Sequence, residues 1–219
     1  MAYFTKIMPF LLESTKMTLG LWALTMVASL PLGFLAALAV RSSFRPLAWL
    51  TEVYIYIMRG TPLMLQLMFV YYGLPFLPVV GPYLRFSRLM AAVVAFSLNY
   101  AAYFAEILRG GFLAIPKGQY EACQVLGLNR IQAMTRVIVP QMIRVALPGI
   151  TNETITLVKD TALAYVIALA ELMHAAKATV SRDSNPMAYI YAGIVYLVIV
   201  FVVTLVFKAL EKKFKLQEK

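Results

Sequence analysis

The chain has 219 residues, 62% of them hydrophobic and 14% charged, with a formal net charge of +10 at pH 7. So little charge at this length excludes an ordinary soluble domain and indicates a single integral membrane domain. One cysteine, Cys123, and one histidine, His174, exclude a disulfide framework, a multi-ligand zinc site and Ser-His-Asp chemistry.

A spanning helix needs about 20 mostly apolar residues, and five segments qualify. Lys6, Glu13 and Lys16 precede an apolar run over 17–40. That run is longer than the roughly 7–15 apolar residues of a signal peptide, so it is read as a retained span. The second span, 61–80, is entered through "YIYIMRGTP" and leaves through "LPFLPVVGP". Within its entrance, Arg59-Gly60-Thr61-Pro62 reads as a helix break at the inner membrane surface, with Thr61 capping the helix that Pro62 starts. The third span covers 88–108, the fourth begins near Val145 and is interrupted by Lys159 and Asp160, and the fifth covers 187–207. The stretch 171–184 between the last two is expected outside, with His174 at the interface rather than on a metal.

Lys and Arg set the orientation. With the first loop in the cytoplasm, twelve of them fall inside (Arg41, Arg45, Arg109, Lys117, Arg130, Arg136, Arg144, Lys208, Lys212, Lys213, Lys215, Lys219) and six outside (Lys6, Lys16, Arg85, Arg88, Lys177, Arg182), leaving Arg59 and Lys159 in or near spans. The N-terminus is then outside and the C-terminus inside, as an odd number of spans requires. The basic excess is thereby explained by the membrane, and no basic-plus-aromatic module points to nucleic acid.

Between spans three and four, 113–145 is long for a connection, and long ordered connections are usually functional. Pro116 suits a first helical turn, and Glu121 early in that helix favours the positive end of its dipole. Gly127 is a stop, and Asn129 caps a second short helix over 130–139 that ends before Pro140. Helix, glycine turn and helix can present a knob to a partner, or serve as an interfacial linker resting on Arg130, Arg136 and Arg144.

"EACQVLGLNRIQAMTRVIVP" resembles the EAA loop of ABC importer permeases: Glu-Ala-Ala, three residues, Gly, nine residues, Ile-x-Leu-Pro. Glu121, Ala122, Gly127 and Pro140 match at full spacing, with Cys123 for the second Ala and Val137 and Val139 for Ile and Leu. "RGTPLMLQL", "SLNYAAYFAEILRGG", "PKGQYEA", "VIVPQ" and "LVKDTAL" are similar to permeases of polar amino-acid importers, so that the resemblance covers about 15–212. It implies an all-α permease domain over 15–212 with a cytoplasmic coupling segment at 113–145. It also implies a coupling role for Glu121, Ala122 and Gly127, which would dock into two copies of a cytoplasmic ATP-binding subunit. The further partners it implies are a second permease subunit, identical or related, and an extracytoplasmic substrate-binding protein. This chain has no G-x-x-x-x-G-K-[ST] loop, so it is expected to bind no cofactor, with ATP and magnesium on the partner and no catalysis of its own.

The polar residues within the spans bear on the cargo. In span four Asn152, Glu153, Thr156, Lys159 and Asp160 fall within an arc of about 120° on one helix face. Glu153 and Asp160 suit an ammonium group and Lys159 a carboxylate, which makes a substrate path; pairing of Lys159 with either acid is the structural alternative. In span three Asn99 and Tyr103 share a face with Glu106, which pairs with Arg109, and in span two Gln66 is either a cavity residue or interhelical glue. These residues are expected to serve ATP-driven import of a polar amino acid by alternating access, with a basic amino acid slightly favoured and glutamine or cystine the other candidates. An ion- or proton-coupled carrier using the span-four charges is the rival reading, and a membrane enzyme a second. The first leaves the coupling segment unexplained and shows no internal repeat; the second lacks any catalytic motif.

Overall fold

A computed structural model describes residues 2–215, and every regular element among them is helical. Lys219 and the side chain of Lys215, both counted in the charge asymmetry, lie outside the described residues. The first helix, α1, runs from Ala2 to Val40, 39 residues, and begins well before the apolar run at 17. The reason is tertiary. Ile7 and Leu11, one turn apart, are buried against Ala188 and Ala192 of the last helix, while Glu13 and Lys16 pair at 2.9 Å on the exposed side. At 1.5 Å per residue α1 is about 58 Å long, nearly twice a bilayer's hydrocarbon core of about 30 Å.

The second expected span is in fact a bent pair. Helix α2 (Arg45–Gly60) turns by 105° into α3 (Leu63–Met68), which continues through a π-turn (Phe69–Gly73) and a 3₁₀ turn (Leu74–Phe76). Helix α4 (Arg88–Leu113), capped by Ser87, lies at the centre with Phe96, Tyr100 and Phe104 fully buried. Helix α1 packs directly on it. A Cβ at Gly33 would come within 2.7 Å of Phe104 Cβ and 2.9 Å of the Ala101 carbonyl, so only glycine admits this approach.

After α4 come α5 (Lys117–Val125) and α6 (Arg130–Ala133), and α6 does not end before Pro140 as expected. It passes through a π-turn (Met134–Ile138) straight into α7 (Val139–Asp160). Pro140 offers no N–H to the Arg136 carbonyl and its ring would crowd that turn. The wider π-turn, with Val139 N–H bonding Met134 O, absorbs the misfit. A 3₁₀ segment (Thr161–Ile167), α8 (Leu172–Asp183) and α9 (Met187–Lys215) complete the chain. Helices α1, α4 and α9 are long and apolar enough to cross a membrane, and the α2–α3 pair makes a fourth crossing if taken as one span. With 22 residues α7 has the length, but it is not apolar enough to qualify by composition.

Candidate functional site

The sharp bend between α2 and α3 follows from one missing hydrogen. Pro62 has no N–H to give the Met58 carbonyl four residues back, so the helix opens there. Inside a membrane that orphaned carbonyl needs another donor. It receives two: Asn99 Nδ2 at 2.8 Å from α4 and Gln66 Nε2 at 2.9 Å from α3. Gln66 also donates to Thr61 O and Thr61 Oγ1, and its own carbonyl accepts from Asn99 at 3.0 Å. Thr61 therefore does not cap α3. It closes α2, its hydroxyl bonding back to Ile57 O at 2.8 Å, and Pro62 is the uncapped N-terminal boundary of α3. Because Asn99 lies near the middle of α4, the break sits beside the midpoint of that helix.

Beside this break is a cavity of about 510 Å³, closed by α4 and α7. Asn99, Tyr103, Glu153, Thr156 and Asp160 line it as anticipated. Three of the eight residues proposed for a substrate path do not. Asn152 and Lys159 are exposed and are absent from the lining, although a helical wheel puts them at the edges of the same arc. Gln66 also stays out of the lining and acts as the glue of the break. Pairing of Lys159 with either acid is not found among the ion pairs of the described residues; Asp160 Oδ2 instead accepts from Tyr100 OH at 2.7 Å.

Two side chains that sequence reasoning left without a chemical role belong to this wall, Tyr100 and Arg59. The signal for Arg59 was present: a cation directly before Gly-Thr-Pro in an apolar context. Its guanidinium lies 5.4 Å from the centre of the Tyr103 ring and 3.6 Å from Glu106. Glu106 and Arg109 form the expected ion pair, with two hydrogen bonds of 2.9 and 2.7 Å.

The second candidate site is the α5–α6 hairpin. Gly127 has φ +69°, the left-handed conformation that glycine adopts without strain. Gly127 N–H bonds Gln124 O and Leu128 N–H bonds Cys123 O, which satisfies two end carbonyls of α5 in a Schellman turn. Asn129 then caps α6 through a reciprocal box with Gln132. Pro116 precedes α5 as its N-cap, and Glu121 lies in the middle of that nine-residue helix, so the expected dipole role in a first turn is absent. Of Glu121, Ala122 and Cys123, the first two are exposed and Cys123 is buried, which ties its small size to packing within the hairpin. Three large apolar residues around the turn are open to solvent: Val125 at 88%, Leu126 at 75% and Ile131 at 75%.

Residues 29–216 match the model of the binding-protein-dependent transport system inner membrane component family. The chain is 41% identical over 208 residues to the arginine transport system permease protein ArtQ of Bacillus subtilis, covering 94% of this chain and 93% of that one. It is 38% identical over 208 residues to the L-cystine transport system permease protein TcyB of the same organism, covering 94% and 86%. Its fold superposes on a crystal structure described as an amino acid ABC transporter with histidines, with a TM-score of 0.87, 32% identity and 97% of each chain covered.

Proposed function

This chain belongs to the family of binding-protein-dependent transport system inner membrane components and is the permease subunit of an ABC importer of amino acids, and from that premise we propose that it carries a basic amino acid through the cavity between α2–α3, α4 and α7. It is a multi-pass protein of the inner membrane. The observation that carries the choice of cargo is the pair of carboxylates, Glu153 and Asp160, on one wall of a cavity of about 510 Å³ beside a helix break. Carboxylates held in a bundle interior are costly unless they face a watery path and a cationic guest. Arginine transport by the relative from Bacillus subtilis agrees with that choice.

In this reading the chain crosses the membrane five times, through α1, the bent α2–α3 pair, α4, α7 and α9. The N-terminus is outside, and the basic residues of the α1–α2 and α4–α7 connections are inside. The polar face of α7 is tolerable in lipid because it turns to the cavity. The permease domain covers 15–212, and 113–145 is its cytoplasmic coupling segment. Two such chains, identical or related, flank one path, because five helices enclose a cavity on one side only.

The α5–α6 hairpin docks on a cytoplasmic ATP-binding subunit, two per transporter, which holds ATP and magnesium; the chain itself binds no cofactor. Glu121, Ala122 and Gly127 carry the coupling, and the exposed Val125, Leu126 and Ile131 supply the apolar contact. Closure of the ATP-binding pair pulls the hairpins. Because α6 continues into α7 without a break, that pull reaches Glu153 and Asp160 through one helical rod. An extracytoplasmic binding protein delivers the amino acid.

The test is uptake of labelled arginine, glutamine and cystine into proteoliposomes holding the chain, its ATP-binding partner and its binding protein. Uptake is expected to need ATP, to fail in Gly127→Asp, and to lose arginine selectively in Glu153→Gln. Uptake driven by an ion gradient without the ATP-binding subunit overturns the reading.

A further inference from the structure

We infer that Arg59 is the carboxylate-binding residue of the transport cavity, held in reserve on Glu106 until an amino acid enters. The inference rests on the reading that this cavity carries an amino acid. Such a guest brings an ammonium and a carboxylate that must both be satisfied once water is stripped from them. Glu153 and Asp160 answer the ammonium. The carboxylate needs a cation, and Lys159 is exposed off the lining; among the described residues, Arg59 is the cation that the lining offers.

The surroundings of Arg59 suit a guanidinium kept available. Its contact with Glu106 is 3.6 Å, too long for a hydrogen bond, and the same Glu106 oxygen already accepts from Arg109 at 2.7 Å. Its ring contact with Tyr103, at 5.4 Å, engages the guanidinium through stacking rather than through an N–H. No hydrogen bond from the Arg59 side chain occurs among the described residues, so its planar fork of donors remains uncommitted. That fork matches a carboxylate with two parallel bonds, which the ammonium of a lysine does not. Little is lost when Arg59 leaves Glu106, because Arg109 still neutralises it.

Position adds to this. Arg59 is the next-to-last residue of α2, directly before the bend, and borders both the transport cavity and a smaller cavity of about 310 Å³ that holds Glu106 and Arg109. A swing of one side chain exchanges the two partners. The charges also sum well. Glu153, Asp160 and Arg59 together carry −1, the complement of a basic amino acid at +1, whereas Glu106 and Arg109 cancel.

The test compares each amino acid with the amine that lacks its carboxylate. ATP-dependent uptake of labelled L-arginine, L-glutamine and L-cystine first identifies the cargo. If none of the three enters, the amino-acid reading has failed, and the role of Arg59 with it. Binding of that amino acid and of its decarboxylated counterpart (agmatine, 4-aminobutanamide or cystamine) is then measured on the permease–ATPase complex in nanodiscs. The binding protein is omitted, since it would discriminate by itself. Wild type is expected to prefer the amino acid at least tenfold, equal to about 1.4 kcal/mol. Arg59→Gln is expected to lose that preference while the amine binds as well or better. Arg59→Lys is expected to keep only part of the preference, and Glu106→Gln to keep all of it. The inference is overturned if Arg59→Gln keeps a tenfold preference or weakens both ligands alike, or if wild type shows none. Should Arg59→Gln fail to assemble, an unchanged ratio in Arg59→Lys or a reduced one in Glu106→Gln overturns it equally.

Discussion

Replacing Asn99 by leucine, which keeps its branched shape and number of heavy atoms, tests whether the broken helix is held by the bonds that replace the one Pro62 removes. The substitution deletes the 2.8 Å bond to Met58 O and the 3.0 Å bond to Gln66, while Gln66 Nε2 continues to reach Met58 O at 2.9 Å. Two lost bonds at about 0.5–1.5 kcal/mol each give about 1–3 kcal/mol. The low end is favoured inside a membrane, where interhelical hydrogen bonds average about 0.6 kcal/mol. At about 2–4 °C per kcal/mol for a chain of this size, that low end of about 1 kcal/mol should lower the melting midpoint of the purified complex by about 2–4 °C. Gln66→Leu should cost more, because it removes the donor to Thr61 as well.

The decisive quantity is the double variant. Asn99 and Gln66 share the Met58 carbonyl and bond to each other, so the combined loss should differ from the sum of the single losses by at least about 0.5 kcal/mol. Scanning fluorimetry of the three variants beside wild type measures it. Additivity within about 0.3 kcal/mol, or an Asn99→Leu complex as stable as wild type, would falsify the account of the bend.

Other outcomes follow from the same geometry. Gly127→Ala forces a Cβ into the left-handed region at about 1–2 kcal/mol, yet that Cβ meets nothing within 4 Å. Stability should fall by that amount, and a larger loss in ATPase coupling would then report contact with the partner subunit. Uptake that stays fully coupled in Gly127→Asp would remove the hairpin from the coupling path. Val125→Ser combined with Ile131→Ser strips two exposed apolar side chains, each worth about 1.5–3 kcal/mol if fully buried on docking. A titration of the ATP-binding subunit should therefore show affinity lower by at least tenfold, and unchanged affinity would place the contact elsewhere. Lys159→Gln should leave the KM for uptake within about twofold of wild type whereas Asp160→Asn raises it several-fold, because only Asp160 faces the cavity. Gly33→Val should destabilise the α1–α4 contact by about 1–3 kcal/mol, since it drives carbon into Phe104 and a backbone carbonyl; a midpoint equal to wild type would contradict the packing described.

Composition and local pattern alone determined that the chain is a helical membrane protein. They also determined that a glycine turn joins two short helices after α4, and that Asn99, Tyr103, Glu153, Thr156 and Asp160 belong together. Each of these depends on interactions within a few residues or on a whole-segment balance of apolar and polar side chains. Gly127 and the Asn129–Gln132 cap are of this kind: their hydrogen bonds close over six residues or fewer. What the sequence misjudged depends on neighbours distant along the chain. The N-terminal extension of α1 is helical because Ile7 and Leu11 find α9, far beyond any sequence window. The carbonyl that Pro62 leaves without a donor is satisfied in part by Asn99, 41 residues away along the chain. A helical wheel grouped Asn152 and Lys159 with Glu153 because periodicity gives an arc. Only the packing of α7 against its neighbours decided where that arc meets the cavity and where it ends. Arg59 acquired its neighbours for the same reason: the fold brought Tyr103 and Glu106 of α4 to the end of α2, and no pattern in the residues around 59 encodes that meeting.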